Sequence, residues 1–135
     1  MLKIQDTILI CPTVVAERAA LAALDVGRAY CDPHVRELST IRQIVLDALG
    51  TLGPACDVPP AEGAMYCFPR MATNLDPMTL TERLIREHKV AVTPGSAFGM
   101  TDGCYFRVAF GALQRETVAE GIGRLVAGLR AIIRT

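Results

Sequence analysis

Among the residues able to do chemistry, Arg107 is singled out by its setting. It lies in the middle of Tyr105-Phe-Arg-Val-Ala-Phe110, an otherwise apolar and aromatic run, where a guanidinium is hard to desolvate without an anionic partner. Strand alternation puts Phe106, Val108 and Phe110 on one face and Tyr105, Arg107 and Ala109 on the other. Small Ala109 and amphipathic Tyr105 leave room ahead of the guanidinium for a planar carboxylate gripped by two N–H groups. The same pattern also suits an arginine paired with an Asp or Glu of its own chain, or one lying on an open sheet face.

Other candidates carry less. Pro94-Gly-Ser-Ala-Phe-Gly99 is turn-rich and follows a strand, but it lacks the lysine of a phosphate loop and does not match G-x-G-x-x-G. It reads as a strand-to-strand connection. Cys31-Asp-Pro-His34 offers two metal ligands, with His88 or Cys104 as distant partners, whereas zinc sites present tighter paired spacing. No metal site is therefore expected, and His88 reads as a partner for the end of a helix dipole. There is no G-x-S-x-G elbow, no recognisable Cys/His pair, and no acid-base pairing among Asp25, Asp32, Glu62 and Asp102. No catalytic residue is named. The five cysteines are odd in number and contain no Cys-x-x-Cys, so they read as reduced and mostly buried.

The chain of 135 residues, 51% hydrophobic and 21% charged, has the length of one domain with a real core. Fourteen basic residues balance fourteen acidic ones, which excludes a polyanion binder working by counterion release and argues against nucleic acid. The longest apolar stretch, 7–16, is interrupted by Pro12 and falls short of the roughly 18 residues a membrane helix needs. Asp6 stands where a signal peptide would be apolar. A soluble cytoplasmic protein with no membrane partner is expected.

The elements that must position Arg107 follow from periodicity. Residues 12–24 predict a helix, with Pro12 at its start and Gly27 as its stop, and it is apolar on nearly every face. A second, amphipathic helix is expected over 33–52, with Leu38, Ile41, Val45, Leu49 and Leu52 on its stripe. The Pro-rich stretch 57–63 is a loop and 64–69 has strand composition. Asp76-Pro77, with a capping box at Thr79 and Glu82, opens a helix bearing Leu80, Leu84 and Ile85. Strands are expected over 90–93 and 105–110, then a helix from about Arg115 in which Gly121, Gly123 and Gly128 suit close packing on a sheet. The order α-α-β-α-β-β-α implies an α+β fold: a small, mostly antiparallel sheet of about three strands with helices on one face, preceded by two helices.

Five segments in order resemble the carboxy-terminal third of class I/II aminotransferases, the pyridoxal-phosphate enzymes of the aspartate aminotransferase fold type. They are Lys3-Ile-Gln-Asp-Thr-Ile-Leu-Ile-Cys-Pro12, Ala19-Ala-Leu-Ala-Ala-Leu24, Gly63-Ala-Met-Tyr-Cys-Phe68, Val90-Ala-Val-Thr-Pro-Gly95 with Phe98-Gly99, and Tyr105-Phe-Arg-Val-Ala-Phe-Gly111. The resemblance implies a remnant of the large cofactor domain over 1–27, a bridging helix within 28–53 and the small C-terminal domain over 54–135. It implies that Arg107 grips the substrate carboxylate, and that the parent transfers an amino group between an amino acid and a 2-oxo acid.

The family's Schiff-base lysine lies upstream of the segment matching Lys3, and so do its pyridinium acid, phosphate cup and stacking aromatic. Pyridoxal 5'-phosphate is thus expected in the full-length parent and not on this chain alone, which is expected to be inactive. Two alternatives stay open: a stand-alone α+β module binding a small carboxylate, and a self-assembling structural module. The bare apolar segment 8–24 leads to the expectation of a homo-oligomer.

Overall fold

The structure, a computed structural model, describes residues 11–111 and 114–133. The chain divides into two compact units, Met1–Arg36 and Glu37–Thr135. In the first, helix α1 (Val14–Val26) is capped by Thr13, whose hydroxyl accepts from the Ala16 N–H, and it stops at Gly27, whose φ of 65° is open to glycine. None of its residues is buried.

Helix α2 (Arg28–Gly50) begins five residues before the expected start, with Pro33 inside it. Pro33 forgoes one backbone hydrogen bond, yet the amphipathic run behind it continues the helix. In the second unit α2 buries Ile41, Val45 and Leu49 of the expected stripe, while Leu38 is only half-buried and Leu52 lies beyond the helix end at Gly50.

The sheet is antiparallel and centred on β5 (Cys104–Ala109). Of the expected strand over 64–69 only β2 (Tyr66–Cys67) forms, and a second short piece, β3 (Arg70–Met71), follows Pro69 outside the expected range. Both hold one register on β5, with Tyr66 opposite Ala109 and Arg70 opposite Tyr105. Pro69 has no N–H to give the ladder, but its carbonyl still accepts from Phe106 at 3.2 Å, so the break is local. Outside β3 runs a further pair, β1 (Cys56–Asp57), which the sequence pattern placed at the edge of a loop.

On the other side of β5 lies β4 (Thr93–Pro94), shorter and later than the expected 90–93. Its start is delayed because the Val90 N–H is taken up by the Leu84 carbonyl at the end of the preceding helix. That helix, α3 (Pro77–His88), is capped by Asp76, whose carboxylate accepts from the Thr79 N–H at 2.9 Å. Thr79 itself is inside the helix and caps nothing. Its buried face is Leu80, Thr81 and Leu84, while Ile85 is exposed.

Helix α4 (Arg115–Ile133) buries Val118, Ile122, Leu125, Val126, Leu129 and Ile132. Gly128 meets α3: a Cβ there would lie 2.8 Å from Leu84 and from His88, whereas nothing crowds Gly121 or Gly123. The close approach the glycines suggested is therefore helix on helix, at one position. The three helices and the inner face of β5 share one hydrophobic core, and the fold is the expected α+β arrangement.

Candidate functional site

The outer face of β5 carries the site. Arg107 is half-buried there, opposite Thr93 of β4. Its ζ-carbon lies 4.9 Å from the centre of the Phe98 ring and 5.5 Å from that of Tyr66, within cation–π range of both. Phe68 stacks on Tyr105 with centroids 5.6 Å apart and meets Phe98 edge-on at 5.8 Å. Tyr66, Phe68, Phe98 and Arg107 line an open cleft of about 240 Å³.

Two devices bring these rings together. The common register of β2 and β3 on β5 sets Tyr66 and Phe68 beside Arg107. A 3-10 turn over Gly95–Phe98 then swings Phe98 over the cleft. This turn rests directly on β5, since a Cβ at Gly95 would meet the Tyr105 Cβ at 2.7 Å and its carbonyl oxygen at 2.9 Å. The Pro94–Gly99 segment is thus a connection that also supplies a wall of the site.

Arg107 Nε is buried and has no hydrogen-bond partner. Among the described residues no carboxylate pairs with Arg107; the ion pairs lie on the helices, such as Arg83 with Glu87 at 2.9 Å and Arg28 with Asp32 at 3.6 Å. A buried guanidinium nitrogen left unsatisfied is unusual and calls for an explanation. The cleft's lining contains one cation, three aromatic rings, no lysine and no carboxylate. What it can do chemically is bind and orient an anion; its lining contains no carboxylate, imidazole, amine or thiol.

The remaining candidates lie elsewhere. Lys89, one of the two lysines of the sequence, caps α3, and its Nζ donates to the Arg86 carbonyl at 2.7 Å. The other, Lys3, is outside the described residues. His88 ends α3 and Cys31 is exposed. Among the described residues no three His, Cys, Asp or Glu side chains gather as metal ligands, and no helix is long and apolar enough to cross a membrane.

Cys56, Cys67 and Cys104 are buried, and desolvation pushes each thiol up to about 11; Cys11 and Cys31 are exposed. Tyr66, Phe68 and Phe98 are site residues that the sequence reading misses, although all three lie in segments that carry the family resemblance. The alternation of Tyr66 and Phe68 about buried Cys67 was the available signal.

Comparison with known proteins defines the class. The sequence profile of the family "Aminotransferase class I and II" matches residues 1–125. The aromatic aminotransferase ISS1 of Arabidopsis thaliana is 34% identical over 134 residues, spanning 98% of this chain and 33% of that protein. The crystal structure of an aromatic aminotransferase from Pyrococcus horikoshii OT3 superposes with a TM-score of 0.79 at 30% identity, over 96% of this chain and 35% of that one. A kynurenine aminotransferase from the same species, in complex with PMP, gives a TM-score of 0.79 at 25% identity, over 97% of this chain and 33% of that one. The chain belongs to the class I and II aminotransferases, a pyridoxal-phosphate-dependent family. It spans about a third of the length of the relatives it matches.

Proposed function

We propose that this chain supplies the substrate-carboxylate grip of a pyridoxal-phosphate-dependent aminotransferase, an enzyme moving an amino group between an amino acid and a 2-oxo acid. In this reading residues 1–27 belong with a large cofactor domain, 28–53 form a bridge and 54–135 are the small domain. The observation that carries the reading is Arg107 itself: a half-buried guanidinium lining an open cleft, with no acid of the described residues paired to it. A carboxylate would neutralise the charge and accept two parallel N–H bonds, fixing the reacting end of the substrate; that contribution is orientation rather than bond-making.

Pyridoxal 5'-phosphate would supply the electron sink for the transfer. The described residues do not fit that cofactor by themselves, because the cleft offers no lysine and no acid for the ring nitrogen. The 135-residue chain alone is therefore expected neither to bind it nor to transaminate. Mixing the chain with a stoichiometric amount of pyridoxal phosphate should leave the cofactor's visible spectrum unchanged, and a reversible new band would refute this.

In a full-length parent, Arg107→Ala should raise KM for amino and oxo acids about tenfold or more; unaltered kinetics would remove Arg107 from the role. A stand-alone carboxylate-binding module is the weaker reading, since family membership accounts for the same cleft.

The proposal includes a homo-oligomer. The support is α1, where Val14, Val15, Leu21 and Leu24 are all exposed. Light scattering should find more than a monomer, and a clean monomer at high concentration would count against it. A cytoplasmic setting completes the proposal, resting on five cysteines that form no pairing pattern.

A further inference from the structure

The geometry points to Phe98 and Tyr66 as positioning residues that hold the Arg107 guanidinium and present only its two terminal nitrogens, end-on, to a carboxylate. This inference rests on the carboxylate reading of Arg107 and adds how the grip is held.

A guanidinium on a flexible stem has several rotatable bonds and five N–H donors, and an anion can dock side-on through Nε or end-on through the terminal nitrogens. In this cleft the choice is narrowed. Nε is buried and meets no partner, so a carboxylate in the cleft cannot reach it without displacing protein atoms. The guanidinium carbon lies over the Phe98 ring at 4.9 Å and over the Tyr66 ring at 5.5 Å, and ring faces carry the negative end of the quadrupole, which attracts the cation and repels an anion. An incoming carboxylate is thereby directed away from the covered faces to the guanidinium's outer edge.

The holding parts are independently fixed. Tyr66 is set by the β2–β5 ladder. Phe98 is set by the 3-10 turn that Gly95 lets rest on Tyr105, and by its edge-on contact with Phe68. Both rings are themselves about half exposed, at 47% each, so they contribute little to the core and their substitution leaves the fold standing.

The test uses this chain labelled with 15N-arginine and titrated with sodium acetate, against sodium chloride at equal ionic strength. In the wild type the terminal-nitrogen signals of Arg107 should shift with acetate while its Nε–Hε signal moves far less. Before any acetate is added, Phe98→Ala should speed Nε–Hε exchange with solvent and then weaken acetate binding about fivefold, the loss of one exposed-site cation–π contact. Phe98→Leu, which keeps bulk but no ring, should behave like the alanine variant, and Phe98→Tyr should restore both readings.

Recovery in Phe98→Leu would reduce Phe98 to packing and overturn the inference, as would unchanged exchange in Phe98→Ala or acetate shifting Nε–Hε most. Failure of acetate to move any Arg107 signal in the wild type would refute the carboxylate reading and the end-on presentation together, whereas exchange in the acetate-free chain still decides whether the rings hold the guanidinium.

Discussion

On one face of β5, Cys104, Phe106 and Val108 are buried in the core; on the other, Tyr105 and Arg107 are half-buried beneath aromatic rings and Ala109 is exposed. The inner face is closed by three helices whose packing requires volume and nothing else. The outer face carries the aromatic side chains of the neighbouring strand and a 3-10 turn, which leave a cleft and an unsatisfied nitrogen. Alternate residues of one strand thus separate the core from the candidate site, so the two can be perturbed separately.

The largest effect should come from the inner face. Phe106→Ala removes a ring that is 1% exposed, and denaturant unfolding should show a loss of about 3–5 kcal/mol. A loss no greater than that of an outer-face substitution would erase the distinction between the faces.

Gly95→Ala comes next, because its Cβ would strike the backbone and Cβ of Tyr105. About 1–3 kcal/mol should be lost. Displacement of Phe98 should accompany that loss, seen as a change in the Arg107 resonances, and an unshifted Arg107 would separate the turn from the site.

The buried thiols set a smaller, pH-dependent term. Their folded-state pKa, about 11 against an ordinary 9.0, means the folded form favours the neutral thiol. Their contribution is full below pH 9 and is lost as pH rises toward 11. Cys67→Ala should flatten that alkaline decline relative to the wild type. Iodoacetamide at neutral pH should label Cys11 and Cys31 and spare Cys56, Cys67 and Cys104 until the chain unfolds; rapid labelling of Cys104 would show that the inner face opens.

The smallest change in stability belongs to the residue proposed to grip the carboxylate. Arg107→Ala should alter unfolding by no more than about 1 kcal/mol, since it removes an unpartnered buried donor along with the side chain. A severe loss would make Arg107 a structural residue.

Much of this fold was legible in the residues. The helical stripes of α2 and α4 and the alternation of Phe106, Arg107 and Val108 follow from local periodicity, which the burial pattern reproduces. The departures arise where one backbone group is taken by a neighbour or is missing. Val90 closes α3 instead of opening β4, and Pro69 separates β2 from β3.

Sequence by itself determined which face of β5 Arg107 occupies, because a strand's two-residue period is a property of the chain alone. Whether that guanidinium would find an acid, open water or a ring of aromatics was decided only by tertiary structure. The pairing of Tyr66 with Ala109 and Thr93 with Arg107, and the landing of Gly95 on Tyr105, are contacts between distant segments. Alternation alone fixes which face each residue takes, but which residues lie opposite one another is settled only when the distant segments meet.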